Sequence, residues 1–193
     1  MTTTVTQKRP SARERILATA DELFRVHGLR GVGIDRIIAE SGVAKSTLYA
    51  HFPSKDELIE AYLVKADERW RGYLRQAAIA AGTDPKEQLV GLFDAVEDAY
   101  RRHQLYGCPF INASAESEPG SRAHAATLQH KKAVREWIRF LAEAAGAGDP
   151  VGLATQITLL IDGALAAERL EQDPALPATA KAAARVLVDA ACK

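Results

Sequence analysis

Helix-start signals recur along the whole chain and constrain its fold more than any other feature. Segments 11–14 and 54–57 each have serine first and glutamate fourth, the spacing of a capping box at the start of a helix. Segments 84–85 and 149–150 are Asp-Pro pairs, which place a capping carboxylate before a proline that needs no N–H at the first helical position. Long alternating runs of β-branched residues, typical of strands, do not occur. The sequence therefore predicts an all-α fold.

The predicted helices cover most of the chain, because glycine- and proline-containing segments separate apolar stripes of helical spacing. We expect helices at about 12–27, 34–40, 44–51, 55–80, 85–103, 110–117, 121–145, 150–171 and 178–191. The first helix should bury one face, formed by Ile16, Ala20, Leu23, Phe24 and His27. Residues 1–10 are predicted to be disordered.

The charge balance differs between the two ends of the chain. The whole sequence carries 25 Lys and Arg residues and 25 Asp and Glu residues, but residues 1–55 carry nine against five, a net charge of +4. A basic end on an acidic body favours a polyanion such as nucleic acid as the partner of that end alone. We predict an N-terminal domain at 1–55 and a second domain at 56–193.

No segment predicts export or membrane insertion. The first fifteen residues lack the apolar segment of a signal peptide, and four polar residues, Asp162 among them, interrupt the most apolar stretch, 151–167. The sequence therefore predicts a cytoplasmic protein that does not span a membrane.

Residues 34–51 have the pattern of a helix-turn-helix. Two short helical segments flank residues 41–43, where Gly42 tolerates the positive φ of a sharp reversal. A plain helix-breaking glycine is the alternative for Gly42 taken alone. The apolar positions that should pack both short helices onto the first helix are Ile34, Ile37, Ile38, Val43, Leu48 and Phe52.

The second short helix should present a polar surface without acidic residues. Its outward side chains are Lys45, Ser46, Thr47, Tyr49 and His51, and no Asp or Glu lies within 41–55. Such a surface suits phosphate groups and base edges, so we expect this helix to bind DNA. The alternative for Tyr49 is a structural role, in which its half-buried ring closes the small core. His51 has a similar structural alternative.

The N-terminal part of the chain resembles the N-terminal domain of the TetR family of bacterial transcriptional regulators. The matching positions are 24–28 (FRVHG), Ile37 and above all 42–55 (GVAKSTLYAHFPSK). The resemblance covers about residues 11–65 and implies a three-helix helix-turn-helix DNA-binding domain, followed by a larger helical ligand-binding and dimerisation domain. It implies contacts to bases or phosphates from Lys45, Ser46, Thr47, Tyr49, His51 and Lys55. Arg36, outward on the preceding helix, is a further candidate. Ile38 departs from the small residue common in the family, so an operator sequence does not carry over from relatives.

The resemblance also implies a small-molecule pocket in the second domain. The candidate lining residues are Phe93, Tyr100, Cys108, Phe110, Asn112, Trp137 and Phe140. The alternative for each aromatic residue is an ordinary place in the core, since aromatic side chains at helical spacing usually pack there. The ligand itself is not identified by the sequence.

The last two predicted helices carry stripes of small and aliphatic residues. The stripe residues that we assign to a dimer interface are Leu153, Ile157, Leu160, Ile161, Ala164, Ala183, Ala184 and Leu187. The alternative is that these stripes only complete the core of one subunit. The family resemblance implies a homodimer formed through these helices, which fits a palindromic double-stranded DNA operator.

Together these features predict a ligand-responsive DNA-binding regulator and not an enzyme. The family resemblance implies a repressor released from its operator by a small molecule, but the residues do not distinguish a repressor from an activator. The alternative is a thiol-dependent enzyme or helical binding module that uses Cys108. Cys108 and Cys192 should be free thiols, with Cys192 in a tail that frays. We expect no cofactor and no metal site, because His103, His124 and His130 lack the spacing of metal ligands.

Overall fold

The computed structural model describes residues 10–101, 106–171 and 173–192. Within these ranges the chain forms nine α-helices and no strand, which confirms the all-α prediction. The helices are α1 (Ala12–His27), α2 (Ile34–Ser41), α3 (Lys45–His51), α4 (Lys55–Ala80), α5 (Pro85–Arg101), α6 (Pro109–Glu116), α7 (Arg122–Ala144), α8 (Pro150–Glu171) and α9 (Leu176–Ala191). The predicted disorder at 1–9 and the predicted end of the fifth helix at 102–103 lie outside the described residues.

Local side chains set the helix starts, as the capping signals predict. Ser11 Oγ accepts the Glu14 amide at 3.2 Å, and the Glu14 carboxylate accepts the Ser11 amide at 2.7 Å. Ser54 Oγ accepts the Glu57 amide at 3.2 Å at the start of α4. Asp149 Oδ1 accepts the Gly152 amide at 2.9 Å at the start of α8. These bonds satisfy amides that have no partner inside the helix, so each helix begins where its cap lies.

The chain divides into two compact units, and the first ends at Tyr62. It contains α1, α2, α3 and the first two turns of α4. Leu58, Ile59 and Tyr62 of α4 are buried, and the Tyr62 ring lies 5.5 Å from the Phe24 ring of α1. The start of α4 therefore completes the core of the helix-turn-helix unit, and α4 continues without a break into the second unit.

The second unit, residues 63–192, is a bundle formed by the rest of α4 and by α5–α9. α5 packs against α7, α8 and α9, while α7 packs against α6 and α8. Gly91 of α5 faces Ala77 of α4 and Ala81 just after that helix, and a Cβ on it would lie 2.5 Å from the Ala81 side chain. Glycine therefore permits the close approach of α4 and α5.

Cys192, directly after α9, is held by the bundle and does not lie in a frayed tail as predicted. Cys192 is buried, and its carbonyl accepts a hydrogen bond from Lys86 Nζ at 3.0 Å. The Gly148 amide donates to the Ala191 carbonyl at 3.0 Å. The prediction was wrong because contacts with residues more than forty positions away hold this end. Both cysteines are free thiols.

Helix α8 is the one helix among the described residues whose length and composition would allow it to cross a membrane, with a mean hydropathy of 1.4. It packs against α5, α7 and α9. Its apolar residues thereby contribute to the core of the bundle, including Leu153, Ile157 and Ile161.

Candidate nucleic-acid interface and effector site

Helices α2 and α3 are joined by a tight reversal at Gly42. Gly42 has φ 64° and ψ 31°, a left-handed conformation that is strained for residues with a Cβ. Ile37 and Leu48 are fully buried on the inner faces of the two helices. Val43, in the turn that joins these helices, is also buried. This packing onto α1 confirms the predicted helix-turn-helix and fixes the outward face of α3.

The outward face of α3 carries the residues predicted to contact DNA. Lys45, Ser46 and His51 are exposed, while Thr47 is half-buried. Tyr49 is 41% exposed, so a large part of its ring is available to a partner. Lys55 lies half-buried at the start of α4. The structure thus places side chains that can donate hydrogen bonds to phosphates and bases along one short helix.

Two of the predicted DNA-binding cations, Lys45 and Arg36, are paired with carboxylates of α2, which the sequence did not predict. Lys45 Nζ lies 3.6 Å from an Asp35 carboxylate oxygen, and both side chains are largely exposed. Arg36 Nε lies 2.7 Å from the Glu40 carboxylate, and its guanidinium lies 3.1 Å from His27 Nε2. Exposed pairs of this kind contribute little stability, so Lys45 can exchange Asp35 for a phosphate at small cost.

His27 is exposed and does not lie on the buried face of α1, so that prediction was wrong. The other four residues of the predicted face are buried. His27 is the last residue of α1, where the chain turns at Gly28 and the ring is free to meet Arg36 of α2. The predicted end of the helix is right, but helical spacing alone does not show whether a neighbouring element covers its last turn.

A polar cluster lies in the second unit around His130 of α7, which is buried, while its partners are partly exposed. His130 Nδ1 lies 2.6 Å from a carboxylate oxygen of Asp67 of α4, and the other oxygen lies 3.3 Å from Arg71. The Phe110 ring of α6 stacks on the imidazole with ring centres 3.5 Å apart and planes 4° from parallel. Burial lowers the pKa of His130, and the hydrogen bond that Nδ1 donates to Asp67 opposes that shift only in part. The ring is therefore neutral at pH 7, and Nδ1 donates its proton to Asp67.

A second ion pair lies on the same side of the bundle. Lys131, next to His130 in sequence, pairs with Asp162 of α8. Cys108 is buried near these charges, and burial raises the pKa of its thiol although Lys131 opposes that shift. The thiol is therefore protonated at pH 7 and is a poor nucleophile. His103, considered as its activating cation, lies outside the described residues, and the residues described include no metal-holding group of His, Cys, Asp or Glu.

The predicted ligand-lining residues divide into three groups. Phe93, Tyr100, Cys108 and Phe110 are buried, and Asn112 and Trp137 are half-buried. Two of their polar groups are already bonded, since Tyr100 OH donates to the Ala164 carbonyl at 2.6 Å and Asn112 donates to the Tyr106 carbonyl at 2.8 Å. Phe140 is 54% exposed, with the Arg139 guanidinium 4.4 Å from its ring centre, so the structure does not bring it into the interior.

Sequence reasoning missed the polar centre of this region, which consists of His130 with Asp67 and Thr127. Asp67 and His130 are 63 positions apart, and no linear spacing connects them. The available signal was that Thr127 and His130 share the helical face of α7 that otherwise carries apolar residues.

Most of the predicted dimer residues lie inside the subunit. Leu153, Ile157, Ile161, Ala164 and Ala184 are buried within this unit, while Leu160, Ala183 and Leu187 are half-buried. The first five therefore complete the subunit's own core, the alternative considered for these stripes. The large apolar side chains exposed on the same two helices include Leu159 and Val186, which are 62% and 68% exposed, as well as Val151 and Leu170 near the two ends of α8.

The neutral state of His130 predicts that acid destabilises the protein. Because the folded-state pKa lies below the unfolded value of 6.5, the unfolded chain takes up this proton first as the pH falls. The free energy of unfolding should therefore fall between about pH 7 and about pH 5.5, and H130Q should flatten this dependence. Urea unfolding of both proteins at the two pH values measures it. An equally steep fall in H130Q would contradict the assignment.

The helix-turn-helix with an exposed second helix defines the class of the protein, a regulator with an N-terminal DNA-binding motif. The family model described as "Bacterial regulatory proteins, tetR family" matches residues 16–62. The fold is similar to that of SCO4454, a TetR-family transcriptional regulator from Streptomyces coelicolor. The TM-score is 0.87 at 33% identity, and the match covers 94% of this chain and 96% of that one. The chain belongs to the TetR family of transcriptional regulators.

Two further proteins are similar to this chain. A putative TetR-type regulator from Streptomyces avermitilis is 31% identical, with a TM-score of 0.81 and coverage of 94% of this chain and 98% of that one. LmrA, an HTH-type transcriptional regulator from Bacillus subtilis, is 39% identical over 79 residues, which are 39% of this chain and 40% of LmrA. The chain spans about two fifths of the length of the first curated relatives it matches. The family is not one of enzymes, which disfavours the thiol-enzyme alternative.

Proposed function

We propose that this protein is a homodimeric repressor that binds a palindromic DNA operator through α3 and leaves it when a small molecule binds the second unit. The observation that carries the proposal is the outward face of α3, where Lys45, Ser46, Tyr49 and His51 are exposed on a helix fixed by a buried core. Membership of the TetR family supports the same conclusion.

The residues of α3 and α4 divide by chemistry into two groups. Lys45 and Lys55 provide positive charge for phosphates, and Tyr49 and His51 can add hydrogen bonds to the same backbone. Ser46 and Thr47 are short and lie in the first turn of α3, where side chains reach base edges in the major groove. Arg36 would have to leave Glu40 before it could contact DNA.

We place the dimer interface on the exposed sides of α8 and α9. Leu159 and Val186 are large apolar side chains that are more than half exposed in the single subunit. Gly163 and Ala182 are exposed on the same helices and would allow close helix contact. A symmetric four-helix interface would bury these side chains, and a dimer carries the two copies of α3 that a palindromic operator requires.

The effector would act through the helix that the two units share. α4 carries Lys55 at its start and Asp67 further along, and Asp67 holds His130 in the second unit. A ligand that binds more tightly to a different arrangement of α4 shifts the protein towards that arrangement and lowers its operator affinity. The largest possible decrease equals the ligand's difference in binding free energy between that arrangement and the DNA-bound one. Such a regulator acts in the cytoplasm.

The deciding experiment measures binding of the purified protein to a duplex from just upstream of its own gene, and to genomic fragments if that duplex fails. A shuffled duplex is the control, and both are measured at two salt concentrations. Preference for the natural sequence, steeply weakened by salt, supports a sequence-specific regulator. Equal weak binding to every natural and shuffled duplex would contradict the proposal.

Replacing Lys45 by alanine should weaken operator binding and reduce its salt dependence. Loss of one phosphate contact lowers the slope of log K against log salt by about 1. Fluorescence anisotropy over a salt series measures both effects. K132A is the matched control, because Lys132 is an exposed lysine of the second unit, and its affinity and slope should stay at wild-type values. An unchanged slope in K45A would contradict the docking of α3.

A further inference from the structure

Thr127 is a buried hydroxyl residue without a hydrogen-bond partner. It is 6% exposed on the inner face of α7, and its Oγ1 neither donates nor accepts a hydrogen bond within the described part of the chain. The hydroxyl groups of Thr155 and Thr158 instead donate to the carbonyl four residues earlier, at 2.9 and 2.7 Å. A buried hydroxyl left unpaired destabilises a fold, so it points to a partner from outside the chain.

His130 lies one helical turn from Thr127 on the same buried face of α7. Its Nδ1 is occupied by Asp67, so the neutral ring leaves the lone pair of Nε2 as a hydrogen-bond acceptor. Phe110 stacks on one face of the ring and restricts its orientation. Together the two side chains offer one acceptor, and one hydroxyl that can donate or accept.

The charges around this pair are already balanced. Asp67 faces both His130 and Arg71, and Lys131 faces Asp162. A charged ligand would have to break one of these pairs or remain buried without a counter-ion, and both are costly. The surroundings therefore favour an uncharged ligand.

The remainder of the surroundings is apolar and aromatic. Ala123 and Val134 are buried on the same face of α7, and the parallel rings of Phe110 and His130 show that flat rings pack in this region. Flat rings pack well against such a surface. We propose that Thr127 and His130 bind the hydroxyl group of an uncharged aromatic alcohol, which is the effector class of this regulator. The inference rests on the proposed function only in that the bound alcohol acts as an effector, since binding of the alcohol itself requires no DNA.

The test uses calorimetric titration of the full-length protein, without DNA, at about pH 7. The probes are p-cresol and 2-naphthol, compared with toluene, p-toluate and 4-methylbenzylammonium, which lack the hydroxyl or carry a charge. We expect the two alcohols to bind at least about tenfold more tightly than the charged probes and toluene. Absence of binding by both alcohols up to millimolar concentrations, or equal binding of a charged probe, would overturn the proposal.

Two valine variants separate a binding role from a structural one. T127V should weaken binding of the alcohol by about tenfold while its Tm stays equal or rises, because an unpaired hydroxyl is removed. T158V is the control, since Thr158 is equally buried but its hydroxyl is bonded, and it should lose Tm and keep the affinity. Unchanged affinity in T127V would overturn the proposal. Operator binding, measured separately on the same samples, shows whether the proposed function itself fails.

Discussion

Replacing Leu48 by alanine should abolish specific DNA binding while the second unit stays folded. Leu48 is fully buried on the inner face of α3, and a leucine-to-alanine change in such a site costs about 2–5 kcal/mol. The first unit has only about 60 residues, and domains of this size have little stability in reserve. Thermal unfolding followed by circular dichroism should show an early transition for the first unit, and anisotropy should show loss of operator preference.

Tyr49 provides the matched control for Leu48, because it is the next residue of α3 but is exposed. Y49F removes one hydroxyl and leaves the core untouched, so the unfolding transition should not move. Its affinity should fall by the equivalent of about 0.5–1.5 kcal/mol, the usual contribution of one hydrogen bond. Wild-type operator affinity in L48A would show that the buried side of α3 does not hold the DNA-binding surface in place.

Replacing Leu159 or Val186 by aspartate should dissociate the dimer, which is the second large effect that we expect. A single aspartate at either position, in L159D or V186D, would place a charge in the proposed interface without a partner. We expect a monomer by analytical ultracentrifugation and a loss of operator affinity of about 100-fold or more. The loss is large because linked half-site contacts act at millimolar effective concentration.

The control for this experiment is I79D. Ile79 is 73% exposed on α4, so the charge enters solvent and the dimer should persist. All three variants should keep the wild-type helix content, because none of the replaced side chains is buried in the subunit. A stable dimer in both L159D and V186D would contradict a dimer interface on α8 and α9.

The sequence predicted the helices closely because their ends are local. Serine and aspartate caps act on amides two or three residues away, so the starts of α1, α4 and α8 can be read from the chain itself. The helix-turn-helix was predictable for the same reason, since Gly42 and the apolar spacing around it lie within twenty residues. The prediction failed for His27 and Cys192, whose burial depends on where neighbouring elements end.

The sequence by itself thus determined the all-α fold, the helix bounds and the outward face of α3, because each follows from contacts within one or two helical turns. Only the tertiary structure decided which apolar stripes of α8 and α9 are core and which are exposed. It alone brought Asp67 of α4 to His130 of α7 beside the unpaired Thr127 hydroxyl. The physical reason is that burial and charge pairing between helices depend on their packing, and helical spacing does not specify which neighbour a stripe meets.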